Sequence, residues 1–254
     1  MPDDDRNSDP RETPRSGWDR WVRLTVAIGV ICLLVLLLLP VNGPTQVELR
    51  RSSSKSNLRM LVIAAHNYHV AHGTFPPGQA EGAPKHAGHG WAIAILPQMD
   101  MKAIYDSIDF DKPWDDPAHV TVFSAEIPGY TNPAVPEMKD ARGYGLIHYA
   151  GNVRLLGRDP SLAPEDVTDG LGNTLLFGEV NAGYRPWGRP RNLRDPALGL
   201  NRGPATFGSV WKEEWVQFAA ADHSVHVIAG DTAPRILKAL ATPDGGEPVD
   251  FPDD

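Results

Sequence analysis

The sequence is nearly devoid of cysteine. Cys32 is the single one among 254 residues, and it lies inside an uncharged apolar run. One cysteine excludes an intramolecular disulfide and a zinc site built on cysteine pairs. Beyond the apolar run no cluster of lysine and arginine stands out, and the formal net charge is -8. We therefore expect no nucleic-acid partner.

The usual signatures of catalysis are missing as well. The chain has no Gly-x-Ser-x-Gly elbow, no phosphate-binding P-loop, no Gly-x-Gly-x-x-Gly turn and no His-Glu-x-x-His pair. A glycosidase-type pair of carboxylates would be distant in the chain and would leave no local pattern, so that class stays open. The sequence predicts a protein that is not an enzyme and needs no cofactor.

What the chain does have is a long apolar segment near its N-terminus. Residues 24–41 carry no charge, and Trp18 and Trp21 precede them. At about 1.5 Å per residue the run spans roughly 27 Å, close to the hydrocarbon thickness of a bilayer. The residues that follow make a poor signal-peptidase site. This pattern predicts an uncleaved single-pass anchor in the lipid bilayer of the inner membrane.

The rest of the organisation follows from this anchor. Residues 1–20 read as a disordered tail, 21–43 as the transmembrane anchor, 44–248 as one α+β domain and 249–254 as an acidic tail. Arginines flank the apolar run on both sides, so the charge bias that sets orientation is weak. We expect the C-terminal domain on the periplasmic side.

Local patterns place helices and strands in the domain. Residues 46–72 predict a helix that ends at Gly73. Its apolar face consists of Leu58, Leu61, Ala65, Tyr68 and His72. Residues 174–180 predict a strand, and residues 215–221 and 225–228 a hairpin with Asp222-His223 at its tip. Residues 234–241 predict a short helix.

Several motifs in one order resemble a large pilin-like family of unknown function in planctomycete-type bacteria. They are Leu39-Pro40, Arg50-Arg51, Asn57-Leu58-Arg59, His66-Asn67-Tyr68-His69, the run 72–77, Gly90-Trp91, the run 110–115, Asp169-Gly170 with Asn173-Thr174, and Asp222. The resemblance spans roughly residues 24–248. It implies a prepilin-type N-terminal helix laid on an antiparallel β-sheet, in a bacterial envelope protein with pseudopilin-like or other envelope partners.

The chain departs from that family at three points. Ser54 stands where the family often has cysteine, and Lys212 replaces a histidine ten residues before Asp222. No Gly-Phe-Thr-x-x-x-Glu leader precedes the apolar run. We therefore expect a tethered domain rather than a fibre subunit, without the function that the family gives to that histidine.

Histidines supply one alternative, a metal site. His66 and His69 share a helix face, and His86 and His89 in a Gly-rich loop could complete a zinc site. The competing interpretation is that His69 and His72 lie on the apolar face and hydrogen-bond to the sheet or its loops.

A second alternative is calcium. Asp169, Asn173 and Glu179 offer oxygen ligands, but a turn in which the side chains cap backbone groups explains them as well.

Together these patterns predict a non-enzymatic, membrane-anchored, pilin-like α+β protein of the envelope. Its role would lie in surface organisation, secretion-related assembly or ligand binding. The alternative is a metal-binding protein or metal-dependent hydrolase built on His66, His69, His86 and His89.

Overall fold

The computed structural model describes residues 17–38, 44–78, 89–211, 215–247, 249 and 251. The chain divides into two compact units at the boundary between Gln46 and Val47. The first contains helix α1 (Gly17–Leu38), whose apolar side chains are exposed wherever they are described. Within the described residues, no helix has both the length and the apolarity that a membrane span requires. Residues 39–43 of the predicted anchor and residues 1–16 of the predicted tail lie outside the described part.

The second unit is built on helix α2 (Pro44–His72) and a five-stranded sheet. Proline at the first position of α2 suits a helix start, because its fixed φ and missing N–H cost nothing there. Gly73 ends the helix with φ +81°, and its N–H donates to the carbonyl of His69 at 2.7 Å. The predicted helix is confirmed.

The sheet has the strand order β5-β2-β3-β6-β7. Its members are β2 (Tyr149–Asn152), β3 (Leu175–Glu179), β5 (Leu193–Arg194), β6 (Trp215–Ala220) and β7 (Val225–Ala229). β1 (Leu146–Ile147) and β4 (Arg185–Pro186) form a separate antiparallel pair. Short helices complete the domain: α3 (Trp91–Ala94), α4 (Lys102–Asp106), α5 (Val120–Phe123), α6 (Val153–Leu156) and α7 (Pro234–Ala241).

The α+β class is confirmed, but the prediction of a purely antiparallel sheet was wrong. β5 pairs with β2 in parallel, with Gly151 opposite Leu193 and Asn152 opposite Arg194. Parallel pairing requires a long crossover. The chain makes one between these strands, passing through β3 and β4 before it returns to the sheet edge.

The sheet is buried on both faces because its strands alternate apolar residues between two clusters. On β6, Val216 and Phe218 belong to the cluster that includes Leu237 and Leu240 of α7. Ala219 belongs to the cluster that contains the buried face of α2: Leu58, Leu61, Val62 and Ala65. Strand alternation therefore places α2 and α7 on opposite faces of the sheet. Gln217 points to the α2 side, where the polar groups described next lie.

Candidate functional site: a groove over a buried carboxylate

Glu179, the last residue of β3, is fully buried between the sheet and α2. Its Oε1 accepts hydrogen bonds from the Ser54 hydroxyl at 2.6 Å and from Nδ2 of Asn132 at 2.9 Å. Three segments far apart in the chain thus meet at one carboxylate. Since buried charge is costly unless it is hydrogen-bonded, these donors account for a glutamate in the core.

Gln217 on β6 connects this carboxylate to the backbone of α2. Its main-chain N–H donates to Oε2 of Glu179 at 3.3 Å, and its Nε2 donates to Oε1 at 3.3 Å. The same Nε2 lies 3.4 Å from the carbonyl oxygen of Arg51. The Gln217 side chain is therefore held in place by the strand beside it and the helix above it.

Tyr149 extends the network on the other side of Ser54. The hydroxyls of Tyr149 and Ser54 are 3.0 Å apart, and Nδ2 of Asn57 donates to the Tyr149 oxygen at 3.3 Å. Nδ2 of Asn57 also donates to the carbonyl of Thr131 at 2.9 Å. The network thus joins α2 to the sheet and to the loop before β1 by directional bonds, which fix the position of the helix more sharply than apolar contact does.

Burial shifts the pKa values of both acids in this network upward. Desolvation raises the pKa of Glu179, and the donors from Ser54, Gln217, Trp211 and Asn132 oppose that rise without cancelling it. Desolvation also raises the pKa of Tyr149. The indole Nε1 of Trp211 is buried, and as a donor it lowers the pKa of Glu179.

A groove of about 570 Å³ lies directly outside this network. It is lined by the start of α2 and by residues on and beside the hairpin: Glu48, Arg51, Ser52, Lys55, Trp211, Trp215, Gln217 and Val227. The Arg51 guanidinium lies 5.6 Å from the centre of the Trp211 ring, a cation–π contact, and it faces Glu48 at 3.5 Å. Trp215 is 43% exposed, so part of its side chain is accessible from the groove.

The groove has the size and composition of a small-molecule site. Binding clefts span about 300–1,000 Å³ and combine apolar or aromatic walls with a few fixed polar groups. Here Trp211 and Trp215 provide the aromatic surface. Polar and charged groups come from the start of α2, and Gln217 adds an amide whose position Glu179 fixes.

His66 does not face this groove but the tip of the β6–β7 hairpin. Its Nε2 lies 2.5 Å from the carbonyl oxygen of Ala221, and its ring centre is 4.3 Å from that of His223. Desolvation lowers the pKa of His66. The helix histidine that bonds at the hairpin is thus His66, which was predicted as a metal ligand, whereas His69 and His72 were predicted in this role.

The other candidate metal ligands are placed separately. His69 is half-buried, and its Nδ1 has no hydrogen-bond partner among the described residues. His89 is buried against the edge of Phe110, and His86 lies outside the described residues. Within the part of the chain that the structure describes, no group of three or more potential ligands is arranged to hold a metal. The zinc site, which needs His86, stays a prediction.

The competing prediction for His72 was wrong. His72 is exposed and stacks on Tyr68 at 4.1 Å between ring centres. Asn67 is exposed as well.

The second group of motif residues closes turns. Both carboxylate oxygens of Asp169 accept backbone N–H groups, from Gly245 at 2.7 Å and Gly246 at 2.8 Å. Gly170 has φ +93°, Asn173 donates to the Asp169 carbonyl at 3.3 Å, and the Thr174 hydroxyl donates to the Gly170 carbonyl at 3.1 Å. Backbone capping thus explains these residues. The turn that Asp169 caps is not its own, however, but one 76 residues further along the chain.

The calcium alternative fails on geometry. Glu179 is fully buried, and its carboxylate accepts bonds from Ser54, Asn132 and Gln217. Asp169 uses its oxygens on Gly245 and Gly246. These oxygens are therefore committed to donors at separate places.

Asp222 begins a short polar chain at the hairpin tip. Its Oδ1 accepts bonds from the backbone N–H of Ser224 at 2.9 Å and from the Ser224 hydroxyl, whose oxygen is 2.7 Å from Nε2 of His226. A catalytic triad has the histidine between the carboxylate and the hydroxyl. Here the hydroxyl lies in the middle, so the carboxylate cannot orient the imidazole, and the arrangement closes a turn.

The buried network and the groove were missed at the sequence level. Ser54 is 125 residues from Glu179 in the chain, and no local spacing in the sequence predicts their contact. One signal was available: Glu179 is a charged residue at the end of an otherwise apolar strand, and Gln217 is a polar residue inside another. Such residues need partners from a packed neighbour.

Comparison with known proteins finds a match to a family that has no assigned role. Residues 48–158 match the model of a family described as protein of unknown function (DUF1559). The matched segment, less than half of the chain, contains most of α2 with its three motif runs, and the stretch around Trp91 and Trp114. It supports the resemblance to a family of unknown function. The pilin-like and planctomycete-type parts of that resemblance stay predictions. No curated protein and no solved structure matches the chain.

Proposed function

We propose that this chain is a non-enzymatic binding protein of the bacterial envelope, tethered to the inner membrane by residues 21–43, and that it captures a small polar ligand in the groove beside Trp211 and Trp215. The observation that carries the proposal is this groove, with its aromatic walls and its fixed amide at Gln217. A sugar ring has the matching chemistry, since one of its faces is apolar and its edge carries hydroxyls.

The interior of the site supports binding rather than catalysis. Every bond to the Glu179 carboxylate described above comes from a donor, and the glutamate is 0% exposed, so it is in no position to exchange a proton with a ligand. Its role is to orient Gln217 and Ser54. Fixed polar groups of this kind lower the entropy lost when a ligand binds.

The tether is supported by the sequence. The uncharged run 24–41 follows Trp18 and Trp21, which are 76% and 67% exposed, as expected of rings at a membrane interface. The long helix packed on a sheet agrees with a pilin-like arrangement, in which the chain would act as a tethered domain beside pseudopilin-like or other envelope partners.

The test is a sugar titration of the detergent-solubilised full chain, followed by tryptophan fluorescence, with cellobiose and N,N′-diacetylchitobiose as probes. We expect a saturable change with at least one sugar and at least a tenfold weaker affinity in Trp215→Ala, about 1.4 kcal/mol. Trp114→Phe, which changes a ring at a distance from the groove, is the matched control. Absence of a saturable response to both sugars up to about 10 mM would contradict the proposed ligand class.

A further inference from the structure

A second charged feature lies at the opposite edge of the sheet, on and between strands β4 and β5. Arg185, Arg189, Arg191 and Arg194 fall within ten residues there. β5 is the last strand on this side, whereas the groove lies by β6 and β7 on the other. This arginine cluster therefore has no part in the groove. It was also missed in the sequence, where no basic cluster stood out.

Arg194 is the buried member of the cluster. It is 3% exposed, and among the described residues its guanidinium donates only to backbone carbonyls, from Nη1 to Leu193 at 3.0 Å and from Nη2 to Gly183 at 2.9 Å. Its Nε is buried with no hydrogen-bond partner among the described residues. Neutral carbonyls satisfy two of its donors but do not balance its charge.

Two neighbouring side chains, Arg185 and Arg189, add to the positive charge. Arg185 is half-buried and donates from Nη1 to the Arg191 carbonyl at 2.6 Å, and Arg189 is exposed. Burial and the charges of Arg185 and Arg189 lower the pKa of Arg194 to about 10. Within the described residues, Arg185, Arg189 and Arg194 form no salt bridge.

The carboxylate next to Arg194 in the sequence is already engaged. Asp195 follows Arg194 directly, but its two oxygens accept a bidentate pair of bonds from Arg154, each 2.8 Å. The Asp195 side chain also caps the next short helix through the N–H of Ala197 at 3.0 Å. The Asp195 carboxylate thus pairs with Arg154 and not with Arg194.

A buried guanidinium without a counter-charge is costly, and further arginines beside it increase that cost. A bound anion would supply the negative charge that compensates these arginines. We propose that Arg185, Arg189 and Arg194 form an anion site that takes a phosphate or sulfate group, with Arg185 and Arg189 making the direct contacts and Arg194 supplying positive charge from below. Planar guanidinium groups bind such oxyanions in bidentate fashion.

The group has two possible sources, a free inorganic ion or a phosphate carried on a lipid headgroup. Both present the same oxygens. Because the proposed tether would hold this domain near a bilayer, the experiment includes both sources.

The test uses the detergent-solubilised full chain and measures its thermal unfolding midpoint and its heat of binding with sodium phosphate and with sodium sulfate, each against sodium chloride at equal ionic strength. A parallel arm measures co-sedimentation of the full chain, reconstituted in nanodiscs, with vesicles that contain phosphatidylglycerol or only phosphatidylcholine. The variant is Arg185→Gln with Arg189→Gln, which leaves buried Arg194 in place. The control is Arg142→Gln with Arg202→Gln, two arginines outside the cluster.

We expect phosphate or sulfate to raise the unfolding midpoint above the chloride value, and the double variant to bind at least tenfold more weakly while the control binds as the wild type does. Binding to phosphatidylglycerol vesicles without a response to the free ions would assign the lipid source and still support the site. Equal effects of all three salts with no preference for phosphatidylglycerol, or unchanged anion binding in the double variant, would overturn it. Failure of the sugar titration would leave this result unaffected.

Discussion

At the scale of single residues, Glu179 does most to define the domain. Its carboxylate accepts bonds from Ser54, Asn132 and Gln217, which come from a helix, a loop and a strand. A side chain that presents a donor in place of the Glu179 carboxylate would face the donors of these three residues. The consequences for stability can be measured directly.

Glu179→Gln should lower the free energy of unfolding by about 1–3 kcal/mol, because its amide nitrogen would face the hydroxyl and amide donors of Ser54 and Asn132. Urea denaturation followed by circular dichroism measures this change. Glu126→Gln is the matched control: Glu126 is exposed in its pairing with Lys139 at 3.8 Å, and the expected change is within about 0.5 kcal/mol. Equal effects of the two substitutions would mean that the buried network contributes nothing.

The same glutamate predicts a pH dependence. Its pKa is higher in the folded chain than the ordinary 4.5, so it favours folding below that pH and this contribution is lost as pH rises through the folded pKa. The wild type should therefore lose stability relative to Glu179→Gln as pH rises above about 4.5. A difference between the two that does not change with pH would show that Glu179 titrates alike in both states.

His148 predicts the opposite dependence of stability on pH. Its Nδ1 accepts from the N–H of Asn132 at 2.8 Å and its Nε2 donates to the Glu137 carbonyl at 2.8 Å, an arrangement that requires the neutral ring. Burial lowers its pKa from 6.5, so its contribution to folding is complete above that value and is lost as pH falls through the folded pKa.

Urea unfolding at pH 7.5 and 5.5 should show less loss of stability on acidification in His148→Gln than in the wild type, since the amide keeps a donor and an acceptor but does not titrate. Identical acid sensitivity of His148→Gln and the wild type would contradict the assignment.

At the scale of secondary structure, the hairpin of β6 and β7 carries local strain at its tip. His223 has φ +75°, a left-handed conformation that costs an L-residue about 1–2 kcal/mol. His223→Gly should therefore raise the free energy of unfolding by roughly 0.5 kcal/mol, after the added freedom of the unfolded chain is counted. Thermal unfolding measures the shift.

His223→Ala is the control for that prediction. Alanine removes the ring contact with His66 but keeps the left-handed strain, so it should give no gain. If alanine and glycine stabilise equally, the effect arises from the two imidazoles and not from the backbone.

Elements with a strong local pattern were predictable. The apolar face of α2 from Leu58 to Ala65, the turn dipeptide that joins β6 to β7, and the apolar stripe of α7 each lie within one segment. Their bounds agree with the structure within a few residues.

The remaining elements depend on contacts that no local pattern carries. β1, β4 and β5 have two residues each, too short for an alternating pattern. The parallel pairing of β5 with β2 depends on a crossover through β3 and β4. The groove joins residues from 48 to 227, and the arginine cluster becomes informative only once Arg194 is known to be buried.

At the scale of the whole molecule, an apolar N-terminal segment precedes a domain that presents two surfaces. One is the groove at Trp211 and Trp215, and the other is the arginine cluster at the far edge of the sheet. Both are useful to the cell only where their ligands are present. The proposed function therefore depends on the location of the domain.

The most direct measurement of that claim is the protease accessibility of a tag fused after Asp254, in intact cells and in spheroplasts, with the size of the chain read on the same gel. The account predicts a membrane-bound, full-length chain whose tag is digested once the periplasm is open. A chain shortened near residue 43 would contradict the tether. A tag that stays protected in spheroplasts would place the domain in the cytoplasm and contradict the envelope function.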